Sequence, residues 1–225
     1  MAESALAAAM LAGIIVFGIL MSLLISRVLS STLLKGTPSS FALELPPYRR
    51  PQIGRVIIRS ILDRTLFVLG RAVMVAAPAG MLIWIMANVT VGEATLLAHC
   101  SGFLDPLGRL LGMDGVILMG FILGFPANEI VMPIILMAYM AGGTLTEVGD
   151  LSLMRGLLVD NGWTWITAVS VILFSLMHWP CSTTCLTIRK ESGSWKWTGI
   201  AILVPTLAGM VVCFVFATVA RAMGL

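Results

Sequence analysis

The sequence predicts an all-α, polytopic membrane domain with two proline-broken or re-entrant helices. Three observations carry this. The chain is 59% apolar and only 11% charged, less than half the charged share of a soluble domain, about 25%, so its main solvent is lipid. Apolar runs of about 20 residues, long enough to cross a bilayer, recur along it. Two runs are interrupted by proline among polar residues, at Gly124-Phe125-Pro126-Ala127-Asn128-Glu129 and at His178-Trp179-Pro180-Cys181-Ser182-Thr183-Thr184-Cys185. Proline removes a backbone donor and clashes with the preceding turn. In lipid the freed carbonyls must find partners, so such breaks belong inside protein or beside a polar cavity.

The elements follow in order. Residues 5–25 form an apolar stretch of roughly 20 residues, a full span. It lacks the basic leader of a signal peptide and is too long for one, so it stays as a membrane helix. Residues 30–52 hold Gly36, Pro38, Pro46, Pro47 and Pro51 and form an extended loop. Residues 53–64 set Arg55, Arg59 and Arg64 among Val56, Ile57, Ile58, Ile61 and Leu62 at helical spacing, which predicts an interfacial amphipathic helix. Residues 66–88 are a second span with Pro78 as a kink. The basic residues Lys35, Arg49, Arg50, Arg55, Arg59 and Arg64 place the intervening loop in the cytoplasm. Residues 91–114 then form an external segment with one short surface helix around 107–111.

Residues 115–141 contain the first break between apolar halves 116–123 and 128–140. Two geometries are open: a broken helix that crosses, or a re-entrant hairpin that returns to its own side. The basic turn Arg189-Lys190-Glu191-Ser192-Gly193-Ser194-Trp195-Lys196, against the acidic stretch 142–162, favours the hairpin; Arg221 opposes it. Residues 142–162 are read as a loop, 163–177 as a span ending at the second break, 182–188 as a short helix, and 196–220 as the last span, with Pro205 as a kink and Trp195 and Trp197 as interface anchors. Two interrupted segments of this kind point to a transporter binding site.

Composition excludes several function classes. The net charge is +3, with no Lys/Arg cluster interleaved with aromatics, so no nucleic-acid partner is expected. No G-x-x-x-x-G-K-[ST] loop is present, so nucleotide hydrolysis by that route would need a partner. Neither a Ser/His/Asp arrangement nor an H-E-x-x-H helix appears, and the chain is not read as an enzyme. Of the four cysteines, Cys100, Cys181, Cys185 and Cys213, three fall in or beside apolar segments, so no disulfide framework is expected.

The breaks carry the chemistry. Gly124, Pro126 and Pro180 break the helices. Asn128 reads as an N-cap for the second half-helix, and Glu129 complements that helix's dipole. A neutral cap would be cheaper in lipid, so Glu129 also reads as a cation ligand or pathway charge. His178, Cys181 and Cys185 are spaced i, i+3, i+7, one face of a helix, and imidazole with thiolate suits borderline and soft metals rather than Mg or Ca. Against this, thiols are common packing residues, which suits Cys185 in particular. Ser182, Thr183 and Thr184 read as caps of the new half-helix whose hydroxyls could also line a path. The fifteen methionines read as core filler.

Four stretches together resemble the C-terminal membrane part of the ferrous iron transport protein B (FeoB) family: Leu43-Glu44-Leu45-Pro46-Pro47-Tyr48-Arg49, Gly124-Phe125-Pro126-Ala127-Asn128-Glu129, His178-Trp179-Pro180-Cys181-Ser182-Thr183-Thr184, and Glu191-Ser192-Gly193-Ser194-Trp195-Lys196-Trp197. Residues 53–225 look like that family's Gate, or nucleoside-recognition, segment, and residues 1–52 like the helix and cytoplasmic loop before it. The resemblance implies uptake of Fe²⁺ across a bacterial inner membrane by a multi-pass protein in the lipid bilayer, with Fe²⁺ as substrate and no permanent cofactor. It supports Glu129 and Cys181 as pathway residues, with Asn128 and His178 as helpers. Complete family members also carry a G domain and a first Gate segment, so the expectation is a partner chain supplying both, or self-association. The alternatives are a Gate-family transporter of nucleosides or another organic solute, and a non-transporting assembly protein or remnant.

Overall fold

A computed structural model describes residues 2–32, 54, 58, 66–140 and 151–224. The chain divides into two compact units, Met1–Arg64 and Thr65–Leu225. In the first, α1 (Ala2–Thr32) is one continuous helix of 31 residues. From residue 8 onward its apolar side chains are exposed around most of its circumference, as suits a helix surrounded by lipid. The proline-rich loop beyond residue 32 and the amphipathic helix expected over 53–64 lie outside the described residues, apart from Gly54 and Ile58, which are helical.

The second unit opens with α2 (Phe67–Asn88), which carries Pro78 within it. A two-stranded antiparallel hairpin follows, β1 (Thr90–Val91) and β2 (Ala94–Thr95), turned at Gly92, whose φ of 71° disfavours any side chain. Thr95 then caps α3 (Leu96–Leu110), its hydroxyl accepting the Ala98 N–H at 3.2 Å. After residues 111–114 the chain bends by 109° into α4 (Gly115–Leu123), capped by Asp114, which accepts the Ile117 N–H at 2.7 Å. The two helices meet closely. A Cβ on Gly115 would lie 1.9 Å from the Ser101 carbonyl oxygen, and one on Gly108 2.5 Å from the Asp114 carbonyl carbon. The short surface helix expected around 107–111 is therefore corrected to a 15-residue helix. Its small and apolar face, Leu97, Ser101 and Gly108, is buried, which loop-like polarity in 91–114 obscured.

The 3-10 turn Asn128–Ile130 leads into α5 (Val131–Tyr139). Helices α4 and α5 run antiparallel: Gly124 faces Val131, Gly120 faces Ile135, and Asp114 is hydrogen-bonded to Tyr139. Of the two open geometries the structure takes the hairpin, which returns to the end where it began. This hairpin is the core. On one side Ile117, Leu118, Phe121, Val131 and Ile135 pack with Val171, Phe174 and Cys213. On the other, Met119, Leu123, Ile134 and Met137 pack with Ile83, Met86, Ala87 and Leu97. A helix apolar all round, as α4 is, belongs in a protein core or in lipid, and here most of its residues are buried in the protein.

Residues 142–162, read as a loop, contain α6 (Leu151–Asp160). Its acidic neighbours mask the spacing of Met154, Leu157 and Leu158, which form its less exposed face. The last three helices are α7 (Trp165–Met177), α8 (Ser182–Ser192) and α9 (Trp195–Ala222). Helix α9 runs back along α7: Phe216 meets the Trp165 ring at 6.0 Å, Cys213 donates to the Ser170 carbonyl at 3.5 Å, and Gly209 lies against Met177. Helices α7 and α8 together make one membrane-length stretch, Trp165–Ser192, broken at residues 178–181. Among the described residues, three stretches are long and apolar enough to cross a membrane, Ala8–Thr32, Trp165–Ser192 and Trp195–Ala222, or four if α3 and α4 count as one bent span.

Candidate cation path at the two helix breaks

At the first break α4 ends on Gly124, where a Cβ would lie 2.4 Å from the Val131 methyl. Glycine is what lets α5 fold back this tightly. The turn is closed by backbone bonds from Phe125 N–H to Ile122 O (3.3 Å), Ala127 N–H to Gly124 O (3.0 Å) and Ile130 N–H to Ala127 O (3.2 Å). Ala127, with extended backbone, occupies the cap position, and no side chain caps the turn. The expected Asn128 N-cap is thus corrected: Asn128 already lies inside the 3-10 turn, so its side chain is past the position from which it could cap. Asn128 and Glu129 are both exposed, and Glu129 stands in the first turn, at the positive end of that helix.

At the second break α7 ends at His178, whose N–H bonds the Phe174 carbonyl at 2.7 Å. Its Nδ1 lies 2.9 Å from the Ser175 carbonyl oxygen and 3.2 Å from that of Phe174. Both are acceptors, so Nδ1 is the protonated nitrogen, and in the neutral imidazole the lone pair sits on Nε2, which is buried with no partner among the described residues. The imidazole is wedged against Phe121 at 5.1 Å and Phe174 at 6.0 Å, and those two rings meet edge-on at 4.8 Å.

Residues 178–181 are not helical, so His178, Cys181 and Cys185 do not share the helix face that their spacing predicts. Pro180 is the cause. Cys181 is half-buried at the cap position of α8, with its sulfur 3.1 Å from the Thr183 hydroxyl and 3.2 Å from that of Thr184. Cys185 is buried and donates its S–H to the Pro180 carbonyl at 3.4 Å, a packing role. No side chain caps α8, which corrects the capping role expected of Ser182, Thr183 and Thr184.

Ser182 instead ties the two breaks together. Its N–H donates to the Phe125 carbonyl at 2.8 Å, and its hydroxyl donates to the Pro126 carbonyl at 3.2 Å. Both carbonyls lie in the non-helical link between α4 and the 3-10 turn, outside either helix's own hydrogen-bond ladder. The breaks therefore meet, and each supplies what the other lacks. Among the described residues, no three His, Cys, Asp or Glu side chains gather into a closed metal site. Glu129, Cys181 and His178 are therefore not gathered into one cluster.

Sequence reasoning missed the opposite end of the hairpin. There the Tyr139 hydroxyl donates to the Asp114 carboxylate and accepts the Trp163 indole N–H at 2.9 Å. Asp114 thereby joins the starts of α4 and α7 and the end of α5. Asp114 followed by glycine and an apolar run was a legible cap signal; nothing local announced its tyrosine partner.

Comparison with known proteins shows what the sequence is similar to. The family described as "Ferrous iron transport protein B C terminus" matches residues 11–63, and the family "Gate: Nucleoside recognition" matches residues 69–195. The Fe(2+) transporter FeoB of Staphylococcus aureus (strain MSSA476) is 30% identical over 211 residues, covering 89% of this chain and 30% of that protein. The Fe(2+) transporter FeoB of Synechocystis is 28% identical over 179 residues, covering 78% of this chain and 28% of that protein. That of Leptospira interrogans (strain Fiocruz L1-130) is 25% identical over 209 residues, covering 82% of this chain and 29% of that protein. The chain thus spans under a third of the length of these relatives. No solved structure matches. With the Gate match covering both breaks and the C-terminal match lying just ahead of it, the chain belongs to the Gate family and corresponds to the C-terminal membrane region of ferrous iron transport protein B.

Proposed function

We propose that this chain is the membrane part of a ferrous iron uptake transporter, passing Fe²⁺ along the junction of the α4–α5 hairpin tip with the α7–α8 break. The observation that carries the reading is the pair of Ser182 hydrogen bonds, which hold the two broken segments together. Around that junction stand a carboxylate (Glu129), a thiol (Cys181), an imidazole lone pair (His178) and an amide (Asn128). This mixed oxygen, nitrogen and sulfur set suits a borderline divalent metal better than Mg²⁺ or Ca²⁺. Its dispersion suits transport, because an ion that must leave again cannot be held in a closed cage. The relatives named as Fe(2+) transporters support the same substrate.

These 225 residues contain no phosphate-binding loop, so a nucleotide-driven step would need a G domain, and a first Gate segment, from outside them; the proposed arrangement places both on a partner chain. The bacterial inner membrane is the expected location. The test is anaerobic uptake of labelled Fe²⁺ in cells without their own ferrous transporter, co-expressing this chain with such a partner. Uptake should depend on both chains, and Cys181→Ser or Glu129→Ala should lower it. Uptake that is unchanged in both variants would remove these residues from the path. Inhibition by nucleosides but not by competing divalent metals would favour an organic solute instead.

A further inference from the structure

The turn between α8 and α9 joins two membrane-length stretches, Trp165–Ser192 and Trp195–Ala222, so it sits at a face of the bilayer whatever the transported solute is. It is strongly basic. Arg189 and Lys190 end α8, and Lys196 opens α9, against one acid, Glu191. Gly193 makes the reversal at a φ of 63°, which brings the start of α9 back onto the end of α8. The Arg189 guanidinium consequently lies 4.7 Å above the Trp195 ring. That stacking holds a long side chain in one place before any ligand arrives, so less conformational freedom remains to be lost on binding. The Arg189 Nε is buried and finds no acceptor among the described residues. Arg189 as a whole is half-buried, and an N–H of a charged group left without an acceptor is costly enough to need an explanation.

We propose that this turn is a seat for one anionic phospholipid headgroup. The Arg189 guanidinium, held by Trp195, would take the phosphodiester, with Lys190 and Lys196 adding charge at the rim. The chemistry fits at each point. Guanidinium matches phosphate oxygens in a planar fork. Indole rings such as Trp195, which is exposed, favour the headgroup layer. Basic side chains at a membrane edge attract anionic lipids. A free phosphate offers the same oxygens, but it is not held at the membrane surface by acyl chains.

The test uses the full chain, purified in a neutral detergent, with bound lipid counted by native mass spectrometry during titration with phosphatidylglycerol or phosphatidylcholine. Phosphatidylglycerol should bind about tenfold more tightly, with one lipid favoured, and the preference should weaken as salt rises. Arg189→Gln should abolish the preference. Trp195→Leu, which leaves the arginine in place but removes its support, should reduce it, and Arg189→Lys should restore it only partly. Millimolar inorganic phosphate should not compete. Equal retention of both lipids by the wild type, a preference untouched in Arg189→Gln and Trp195→Leu, or full competition by inorganic phosphate would each overturn the proposal.

Discussion

The Ser182 hydroxyl donates to the carbonyl of Pro126 at 3.2 Å, across 56 residues of sequence. With the Ser182 N–H bonded to the Phe125 carbonyl, one residue at the start of α8 holds the tip of the α4–α5 hairpin. Ser182 is buried, so these bonds do not compete with water. Ser182→Ala keeps the N–H bond and leaves the Pro126 carbonyl unpaired, at a cost of about 1–3 kcal/mol. The expected outcome is a looser junction: the thiol of Cys181, beside Ser182, should react faster with a small maleimide, with little change in expression. An unchanged Cys181 labelling rate would mean that packing alone fixes the tip.

The close approaches of glycine give a sharper expectation. Gly115→Ala puts a methyl 1.9 Å from the Ser101 carbonyl oxygen, and Gly124→Ala puts one 2.4 Å from a Val131 methyl. The first contact is with backbone of a packed helix and cannot yield cheaply; the second is mainly with a side chain, with the Gly120 carbonyl oxygen next at 2.9 Å. Overpacking typically costs about 1–3 kcal/mol, with Gly115→Ala expected at or above the top of that range. Gly102→Ala, in the same helix as Ser101 but with open space around its Cβ, is the control and should be neutral or slightly stabilising. Thermal unfolding in detergent should rank Gly115→Ala as the least stable, then Gly124→Ala, then Gly102→Ala.

At the other end of the hairpin, Tyr139→Phe removes a donor from Asp114 and an acceptor from Trp163 while conserving shape. Two groups are left unsatisfied in a partly buried place, so a loss of about 1–3 kcal/mol is expected. In a double-mutant cycle with Asp114→Asn, the pair should be clearly non-additive, since both belong to one network. Additive losses would show that the Tyr139–Asp114 bond contributes little.

These examples also show where the sequence was legible. Pro126 and Pro180 announce the breaks because the missing N–H is a local, covalent fact, and the long apolar runs announce a membrane fold for the same reason. What the breaks do to each other was not legible. Ser182 with Pro126, and Tyr139 with Asp114, are partners 56 and 25 residues apart, and no periodicity encodes such pairs. The capping roles assigned to Asn128 and to Ser182–Thr184 failed because caps depend on the backbone angles of one residue. Ala127 and Cys181 adopt the extended conformation that their neighbours were expected to have. The helical face of His178, Cys181 and Cys185 failed because the proline that marks the site also interrupts the helix that would have aligned them.

The four thiols allow a direct examination of the path. Cys185 and Cys213 are buried, while Cys181 and Cys100 are partly accessible. In a chain retaining only Cys181, with the others replaced by alanine or serine, a maleimide should therefore label Cys181, whereas chains retaining only Cys185 or Cys213 should label slowly until unfolded. If Cys181 is a transient ligand, anaerobic Fe²⁺ should slow its labelling, and a ferrous chelator should restore the rate. Mg²⁺ at the same concentration should have no effect, because thiolate is a poor ligand for a hard cation. Glu129→Ala should weaken the protection if the carboxylate helps deliver the ion to the junction, without changing the unprotected rate. A labelling rate indifferent to Fe²⁺, in a chain still folded by its melting curve, would leave Cys181 as a helix-start residue with no contact to the transported ion.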